Sequence, residues 1–380
     1  MSADFDVAVV GAGVLGLAHA YHAARRGGRV VVFERNRRAE GASIRNFGMI
    51  WPIGQPTGPR YDLARRSRHI WLELLRAAGL WHDPCGSLHL AYHDDEAQVL
   101  REFAEHTRMV GRSGELLSAA KVTSRFPAVR CEGLRAGLWS DQEVTVDPRQ
   151  VIADLPRWLE RNLGVTFLWG TPVMGFDPPR VLTPTGEWRA ARLIVCTGVD
   201  YRELAPASFV QCGLIHCKLQ MMRTAPCFDR IRLGTMLAAG LTLGHYPAFA
   251  SCPTLPALKQ RLQSELPEYI RYGIHVMAAQ NGRGEIVLGD SHEYGEEIEP
   301  FDKPQIDELV LQYLQKFLRW PDLEIASRWH GTYVRHPTDP YVITRPASDV
   351  WVVTGVGGAG MTLSMGLAEM VIRECLGEAS

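Results

Sequence analysis

A glycine-rich turn between two apolar runs in the first 34 residues constrains the fold more than any other part of the sequence. Residues 6–10 form a short apolar run, the turn at residues 11–16 follows at once, and an alanine-rich stretch leads to a second apolar run at residues 29–34. The apolar runs have the length of buried strands, and the stretch between them has that of a helix. Strand, helix and strand in this order predict a right-handed crossover and a parallel sheet.

Three glycines of this turn have the spacing of a dinucleotide-binding motif. Gly11, Gly13 and Gly16 form the pattern GxGxxG. The first glycine allows a tight turn, the second lets a pyrophosphate approach the backbone, and the third lets helix and strand pack closely. Glu34 ends the second strand, where a carboxylate that binds ribose is expected. The alternative is a glycine-rich turn with no role beyond packing.

A second glycine-rich loop lies near the other end of the sequence. Residues 349–354 are strand-like, residues 355–360 read Gly-Val-Gly-Gly-Ala-Gly, and a helical stretch follows to residue 375. NAD and FAD share the first motif, but an NAD enzyme has no general need for a second loop of this kind. A second helix N-terminus would stabilise the negative charge that a flavin gains on reduction. The two loops together favour FAD, with an NAD-dependent dehydrogenase as the alternative.

The charge and the cysteine content exclude several other classes of protein. Lys and Arg number 41 and Asp and Glu number 42, so no basic excess indicates a nucleic-acid partner. The sequence has no run of 18 apolar residues, so we expect no membrane span. The first six residues lack the basic segment of a secretory signal, which predicts a cytoplasmic protein. The eight cysteines show no CxxC spacing, so we expect reduced thiols and no metal site.

Three further helices are predicted in the first half of the chain. Residues 61–80 and 94–109 have helical periodicity. A further helix would begin at Pro148 with Asp147 as its N-cap, because a carboxylate followed by proline is typical of a helix start.

The second half of the chain predicts a sheet of a different kind. Strand-like alternation occurs between residues 214 and 310, at 218–223, 241–246, 274–279 and 285–289. This pattern is typical of an antiparallel sheet. We therefore predict an α/β protein: a discontinuous Rossmann-like FAD-binding domain on a parallel sheet, with an inserted α+β substrate-binding domain on a mainly antiparallel sheet. The FAD-binding domain would comprise residues 1–50, 140–213 and 326–380, and the substrate-binding domain residues 51–139 and 214–325.

Four segments give the chain a family resemblance. They are residues 9–17 with Glu34 and Arg35, residues 41–49 (Gly-Ala-Ser-Ile-Arg-Asn-Phe-Gly-Met), residues 195–198 and residues 354–360. The chain resembles the flavin amine oxidoreductases of the D-amino-acid oxidase superfamily, near glycine oxidase and monomeric sarcosine oxidase. Residues 43–56 are also similar to a subgroup found in phosphonate catabolism.

The resemblance implies a set of cofactor-binding residues. The matching positions are Gly11, Gly13, Val14, Leu15, Gly16, Glu34, Arg35, Ser43, Arg45, Asn46, Phe47, Gly48, Met49, Val173, Thr197, Gly198, Gly355, Gly357, Gly358, Ala359, Gly360, Met361 and Thr362. Some relatives attach the flavin through a cysteine in the segment that matches residues 330–336. This segment contains no cysteine, so we expect non-covalent FAD.

The resemblance also places the substrate between the flavin and the second sheet. The candidates for catalytic contact are His292, Tyr333 and Arg335. The candidate substrate-binding residues are Trp51, Gln55, His245, Tyr246 and His336, with Arg60 and Lys218 as further candidates. The alternatives are that His292 is a surface-loop histidine and that Arg335 is a surface or ion-pair residue.

The residues that hold the substrate carboxylate in sarcosine-type relatives are absent. Where those relatives have a Lys and an Arg, this chain has Thr362 and, approximately, Pro52. An anion site rebuilt from Arg335 and the candidate histidines would suit a phosphonate, which carries more charge and more oxygens than a carboxylate.

These features predict an enzyme that oxidises the C–N bond of a small primary or secondary amine. Hydride would pass to flavin N5, water would hydrolyse the imine, and oxygen or another acceptor would reoxidise the flavin. The substrate would be 2-aminoethylphosphonate or its N-methyl derivative. The alternatives are an oxidase or dehydrogenase of glycine, sarcosine or a D-amino acid, and a non-catalytic flavin-binding protein. The sequence leaves the oligomeric state open.

Overall fold

The computed structural model describes residues 4–210 and 212–378. Residues 1–3, which contributed to the predicted location, lie outside this part, as do residues 211 and 379–380 of the predicted FAD-binding domain. The described part contains ten α-helices: α1 (Val14–Arg25), α2 (Pro59–Ala78), α3 (Asp94–Met109), α4 (Ala119–Arg125), α5 (Pro148–Leu163), α6 (Gly240–His245), α7 (Leu255–Glu265), α8 (Pro267–Arg271), α9 (Pro304–Phe317) and α10 (Gly360–Cys375).

The same residues contain twenty β-strands. They are β1 (Phe5–Val10), β2 (Val30–Glu34), β3 (Met49–Ile50), β4 (His82–Asp83), β5 (Ser87–Ala91), β6 (Glu115–Ser118), β7 (Ala136–Ser140), β8 (Val144–Val146), β9 (Thr166–Trp169), β10 (Gly175–Asp177), β11 (Arg180–Thr183), β12 (Gly186–Val195), β13 (Ile215–Thr224), β14 (Met236–Ala238), β15 (Met277–Gln280), β16 (Ile286–Gly289), β17 (Glu293–Gly295), β18 (Ile325–Arg335), β19 (Val342–Ala347) and β20 (Val350–Thr354). None of the helices in the described part combines the length and the hydropathy that crossing a bilayer requires.

An eight-stranded sheet forms around the first strand. β2 and β12 flank β1 in parallel, β9 extends the sheet beyond β2, and β20 extends it beyond β12. β10, β11 and β19 add antiparallel pairs. In the centre, Val9 pairs with Val32 on one side and Ile194 on the other, and all three are buried. The parallel core confirms the predicted strand–helix–strand unit and brings the carboxyl ends of five strands to one edge.

A nine-stranded sheet forms the second layer. Its order is β17-β13-β16-β15-β14-β5-β7-β6, and β18 pairs with β13. The pairs are antiparallel except that of β14 with β5. A sheet of this kind confirms the predicted fold class, a parallel sheet combined with a mainly antiparallel one. The domain bounds drawn from the sequence stay a prediction.

Helices α1, α2 and α10 pack side by side and hold the two ends of the sequence together. Gly366 of α10 faces α2 so closely that a Cβ would lie 2.8 Å from the Leu63 carbonyl oxygen. The Trp71 indole of α2 donates a hydrogen bond of 2.9 Å to the Met361 carbonyl at the start of α10. These contacts place the N-terminus of α10 beside the first glycine turn.

The helix starts follow the predicted chemistry with small shifts. The Asp147 carboxylate caps α5 by accepting a hydrogen bond of 3.1 Å from the Arg149 N–H, and Pro148 occupies the first position, as expected. Helix α2 begins at Pro59, two residues earlier than expected. It ends before Gly79, which adopts the left-handed conformation with a φ of 65°.

The expected strand at residues 241–246 is wrong, because this segment forms the short helix α6. Leu241, Thr242 and Leu243 are all buried, so the alternation of apolar and polar residues does not reflect alternating exposure. The Leu241 N–H donates to the Tyr313 hydroxyl at 3.1 Å instead of joining a strand ladder. A run of six residues is too short for periodicity to separate a strand from a buried helix.

Candidate active site

A cavity of about 780 Å³ lies where the carboxyl ends of the parallel strands face the nine-stranded sheet. The turns that follow β1, β2, β12 and β20 form one wall, and residues of β13, β15 and β18 contribute to the opposite one. The volume falls within the range of about 300–1,000 Å³ that small-molecule and cofactor sites occupy.

Most residues that the sequence singles out line this cavity. All eight candidates for catalysis and substrate binding do so: Trp51, Gln55, His245, Tyr246, His292, Tyr333, Arg335 and His336. The predicted cofactor residues in the lining are Gly11, Gly13, Val14, Leu15, Glu34, Arg35, Ser43, Arg45, Asn46, Phe47, Met49, Val173, Thr197, Gly198, Gly355, Gly357, Gly358, Ala359, Gly360, Met361 and Thr362. The structure thus brings together residues from both ends of the sequence.

Gly16 and Gly48 are the two predicted cofactor residues that lie outside the lining. A Cβ on Gly16 would lie 1.8 Å from the Gly11 carbonyl oxygen, and a Cβ on Gly48 would lie 2.0 Å from the Val146 carbonyl oxygen. Both positions therefore demand glycine for close packing of backbone on backbone. Gly11 itself has a φ of 99°, which favours glycine, and it packs against the Cys196 carbonyl.

Glu34 is held rigidly at the end of β2. One carboxylate oxygen, Oε2, accepts a hydrogen bond of 2.9 Å from the Ala12 N–H in the glycine turn. The other, Oε1, accepts one of 3.0 Å from the Asn36 N–H. The side chain is buried at the edge of the cavity, so its position fits the ribose-binding role that the sequence predicts.

The loop at residues 41–49 is braced against the first turn by its own side chains. The Ser43 hydroxyl accepts a hydrogen bond of 2.9 Å from the Val14 N–H at the start of α1. The Asn46 amide donates to the carbonyls of Ala42 and Ser43, and its oxygen accepts from the Gly48 N–H at 2.8 Å. Asn46 therefore shapes the loop from within, and the loop backbone faces the cavity.

The C-terminal glycine loop meets the first loop directly. Gly355 and Gly357 have φ values of 72° and 56°, and α10 begins at Gly360 in the cavity wall. The Thr362 hydroxyl accepts a hydrogen bond of 2.9 Å from the Trp51 N–H. This bond joins two segments that lie more than 300 residues apart and places the N-termini of α1 and α10 in one cavity.

Three histidines cluster on the opposite side of the cavity. The ring centroids of His245 and His275 lie 3.8 Å apart, those of His275 and His292 5.0 Å apart, and those of His245 and His292 4.6 Å apart. His292 is buried, so the alternative of a surface-loop histidine is wrong. His275 was missed because a single histidine among apolar residues carries no sequence signal for a site.

Burial controls the charge of this cluster. It lowers the pKa of His292 to about 4, against the opposing effect of the Gly273 carbonyl that its ring contacts. Burial likewise lowers the pKa values of His245 and His275 well below their usual range. His245 is exposed to the cavity itself but is enclosed by protein. Burial raises the pKa of Asp290, whose Oδ1 lies 3.1 Å from His275 Nε2.

Two arginines face the same part of the cavity. Arg335 donates to the carbonyls of His336 and Pro337 at 3.4 and 3.1 Å, and its guanidinium lies 5.2 Å from the centre of the Tyr294 ring. Arg60 donates to the Gln55 side-chain oxygen at 2.6 Å. Burial, and secondly the charge of Arg335, lower the pKa of Arg60. Arg335 therefore supplies positive charge beside His245 and His292, and Arg60 adds a second positive charge close to Arg335.

Lys218 does not belong to the cavity, so the sequence-based suggestion is wrong. Its ammonium is buried on the other side of β13, where it pairs with Asp302 at 3.0 Å and donates to the Glu299 carbonyl at 3.1 Å. Side chains alternate between the faces of a strand, so a residue near a pocket in sequence can face away from it.

The sequence profile of the family described as FAD dependent oxidoreductase matches residues 6–374. The chain belongs to this family. Membership confirms the predicted superfamily and the FAD cofactor, and it excludes the NAD-dependent alternative as the family assignment.

Several curated proteins are similar to this FAD-dependent oxidoreductase. It is 22% identical to N-methyl-L-tryptophan oxidase from Yersinia pestis (strain Pestoides F), over 97% of this chain and 94% of that protein. It is 27% identical to glycine oxidase from Bacillus licheniformis, over 56% of this chain and 58% of that protein. Its matches to mouse sarcosine dehydrogenase and rat dimethylglycine dehydrogenase, both mitochondrial, span 17% and 24% of those longer proteins.

Solved structures share the whole architecture of this FAD-dependent oxidoreductase. L-proline dehydrogenase from P. horikoshii superposes with a TM-score of 0.81 at 20% identity, covering 100% of this chain and 96% of that chain. Glycine oxidase from Bacillus cereus superposes with a TM-score of 0.80 at 16% identity, covering 99% and 96%. These likenesses show a common fold.

The residues of the cavity fit FAD. Two helix N-termini face it, and each offers N–H groups and a positive dipole end to an anionic group. Side chains are missing where the backbone would approach a ligand, at Gly11, Gly13, Gly357 and Gly358. Arg35 lines the adjoining wall, where ion pairs with Asp200 and Glu203 hold it in place.

Proposed function

We propose that this FAD-dependent oxidoreductase oxidises the C–N bond of a small amine. The proposal rests on one observation: the cavity wall with two helix N-termini continues into a pocket of histidines, arginines and aromatic rings. When bound, FAD accepts a hydride from the carbon next to the amine nitrogen. The chain has to bind and orient the amine and exclude water.

The residues of the pocket are suited to binding and orienting an amine and to excluding water. Trp51 and Tyr246 pack with ring centroids 6.1 Å apart. Trp51 is buried and Tyr246 is half-buried, so together they would exclude water from one side of the pocket. Burial raises the pKa of Tyr333 well above its usual range, so its hydroxyl stays a donor at neutral pH.

For the substrate we propose 2-aminoethylphosphonate or its N-methyl derivative. Arg335 and Arg60 supply two guanidiniums to one cavity, and charge-assisted, forked hydrogen bonds suit an oxyanion with three oxygens. Thr362, at the position of the lysine in sarcosine-type relatives, is committed to the Trp51 backbone. His336, a further candidate for the anion site, accepts the Asp339 N–H at 3.0 Å.

The alternative substrates are glycine, sarcosine and D-amino acids. The names of the relatives favour this alternative, since they include glycine oxidase and sarcosine dehydrogenase. Non-covalent attachment of FAD, oxygen or another compound as the final electron acceptor, and a cytoplasmic location stay predictions.

Anaerobic reduction of the bound flavin tests the proposal. Purified protein is mixed with sarcosine, glycine, D-alanine, 2-aminoethylphosphonate or N-methyl-2-aminoethylphosphonate, and loss of the visible flavin absorbance is followed. Bleaching by the phosphonates alone supports the full proposal. Bleaching by the amino acids alone keeps amine oxidation and overturns the phosphonate substrate. A flavin that none of these amines, nor a wider panel of primary and secondary amines, can reduce identifies a non-catalytic flavin-binding protein.

A further inference from the structure

The histidine cluster of the cavity has the composition of a metal site. His245 ends α6, His275 precedes β15 and His292 follows β16, so three separate segments supply the rings. One ring nitrogen of each histidine lies within 4.8 Å of a ring nitrogen of each of the others. The spacing of residues along the chain predicts no metal site, but spacing does not show that three distant segments converge.

The hydrogen bonds of two of these rings leave nitrogen lone pairs unused. His292 Nδ1 lies 3.1 Å from the Gly273 carbonyl, which can only accept, so Nδ1 carries the proton and Nε2 of the neutral ring is free to bind. His275 Nδ1 is buried and has no hydrogen-bond partner, with the residue only 2% exposed. Buried polar atoms are normally satisfied, so an unpartnered nitrogen in a cavity wall indicates a ligand.

A buried carboxylate stands beside the rings. Asp290 Oδ1 lies 3.1 Å from His275 Nε2, and Oδ2 lies 3.8 Å from His292 Nε2. Asp290 Oδ1 is buried and no aligned donor reaches it. The three imidazoles and Asp290 hold no cation among themselves, and the nearby Arg335 guanidinium donates to the His336 and Pro337 carbonyls. A cation bound between the rings would therefore supply a positive centre within the group.

We infer that His245, His275 and His292 bind a divalent transition metal ion such as Zn²⁺, each through one ring nitrogen. Neutral imidazole is the commonest protein ligand of such ions. The Gly273 carbonyl and the Asp290 carboxylate contact the same rings, as outer partners do when they orient metal-binding histidines.

The ring positions require one local adjustment. His245 is stacked on His275 at 3.8 Å, so coordination needs the His245 ring to turn until a nitrogen points at the shared centre. His245 faces the open cavity, which gives its side chain room to turn. Three protein ligands leave a coordination position directed at the cavity. If the proposed function holds, this position would bind an oxygen of the substrate's anionic group beside Arg335.

Metal content provides the test. The flavin-containing protein is stripped with EDTA, dialysed against Zn²⁺ and then against metal-free buffer, and its zinc is measured by mass spectrometry. We expect about one zinc per chain. His275→Ala and His292→Ala should each weaken zinc binding at least tenfold, and Asp290→Asn should weaken it about 10–100-fold, as loss of an outer partner does.

Matched variants separate a lost ligand from lost folding. His245→Gln changes a cavity-facing side chain and should lower zinc affinity while the bound flavin absorbance stays intact. His82→Gln alters a half-buried histidine outside the cavity and should leave the zinc content unchanged. The inference is overturned if the unaltered protein binds less than a tenth of an equivalent of zinc per chain. It is also overturned if His245→Gln and the unaltered protein have equal affinity for zinc.

The result is independent of the proposed amine oxidation. If an amine reduces the flavin in the presence of EDTA and the protein binds no zinc, the metal site is overturned and the proposed function stands. If the three histidines bind zinc but no amine reduces the flavin, the metal site stands and the proposed function is overturned.

Discussion

At the cofactor side of the cavity the wall is mostly backbone and glycine, whereas at the substrate side it is mostly ionisable and aromatic side chains. Glu34, Ser43 and Asn46 hold the cofactor side by hydrogen bonds to backbone N–H and carbonyl groups. On the substrate side His245, His275 and Arg335 come from separate segments of the chain. The cofactor wall therefore depends on close backbone packing at a few glycines, whereas the substrate wall depends on the charged and aromatic side chains that it presents to the cavity.

This difference predicts which changes disrupt the protein and which change only its specificity. At Gly11, Gly16 and Gly48 an added Cβ would lie 2.5, 1.8 and 2.0 Å from a backbone carbonyl oxygen, so the backbone would have to shift. A side chain removed from the substrate wall leaves the fold in place and alters affinity. Variants on the two sides of the cavity therefore differ in whether they disrupt the protein or only its affinity.

The largest effect is expected for Gly16→Ala. The new Cβ would lie 1.8 Å from the Gly11 carbonyl oxygen, so the glycine turn must shift away from its packed position. We expect a loss of about 3 kcal/mol or more in stability and loss of bound FAD. The visible flavin absorbance after gel filtration and a urea unfolding curve measure both.

Gly41→Ala is the control for that variant. Gly41 has a φ of −76°, and no heavy atom lies within 4 Å of a Cβ built there. It should keep the stability of the parent protein, which separates the backbone clash at Gly16 from the general effect of replacing glycine by alanine. Full flavin retention in Gly16→Ala would show that the glycine turn is less rigid than its packing implies.

On the substrate side, Arg335→Ala should raise the KM for a phosphonate about 10–100-fold, because a hydrogen-bonded charge contributes about 1.5–3 kcal/mol. The flavin should remain bound, since no glycine turn is altered. Arg60→Ala should also raise the KM, because both guanidiniums line the cavity and each already donates hydrogen bonds within the protein. Steady-state kinetics of both variants measure this, and an unchanged KM in Arg335→Ala would remove the residue from the anion site.

The pH dependence of stability tests a buried histidine behind the substrate wall. Burial lowers the pKa of His89 to about 3, so the folded chain binds this proton less readily than the unfolded chain, whose histidines titrate near pH 6.5. Stability is therefore lost as the pH falls below about 6.5, by about 1.4 kcal/mol per pH unit for this group.

His89→Phe should reduce that slope. The ring lies among Trp51 and Phe249, with centroids 5.4 Å from each, and both of its nitrogens are buried without hydrogen bonds. Phenylalanine keeps the ring contacts and cannot be protonated. Urea unfolding midpoints at pH 6.5 and pH 5 measure the slope. Equal losses of stability in the variant and the parent protein would show that other groups cause the acid sensitivity.

The smallest effect is expected for Thr362→Val, which removes the acceptor of the Trp51 N–H at the junction of the two sides. A lost hydrogen bond to a buried N–H costs about 1 kcal/mol. Thr362→Ser keeps the hydroxyl and should behave like the parent protein. Thermal unfolding of the three proteins distinguishes these outcomes. Equal stability of the Thr362→Val and Thr362→Ser variants would show that this hydrogen bond contributes little.

The cofactor side could be predicted from the sequence because its signals are local. Gly11, Gly13 and Gly16 act within six residues, and Glu34 follows one helix and one strand later. Backbone constraints of this kind restrict the residue type at each position, so the pattern is visible in a single chain.

The substrate side could be predicted only in part. His275 and Asp290 reach the cavity because Met277 and Gly289 are paired in the antiparallel ladder of β15 and β16, which brings two distant segments side by side. Lys218, close in sequence to cavity residues, faces the other way. Such placements depend on sheet register and strand pairing, which spacing in the sequence does not encode.

The bond between Trp51 and Thr362 has a consequence for synthesis on the ribosome. The enclosure for FAD needs the start of α10, which is translated more than 300 residues after Trp51. We expect a nascent polypeptide to fold its first strands early and to retain the vitamin-derived cofactor only after α10 has emerged. Products that terminate before residue 360 lack one of the two helix ends that face the cavity, so we expect them to be colourless.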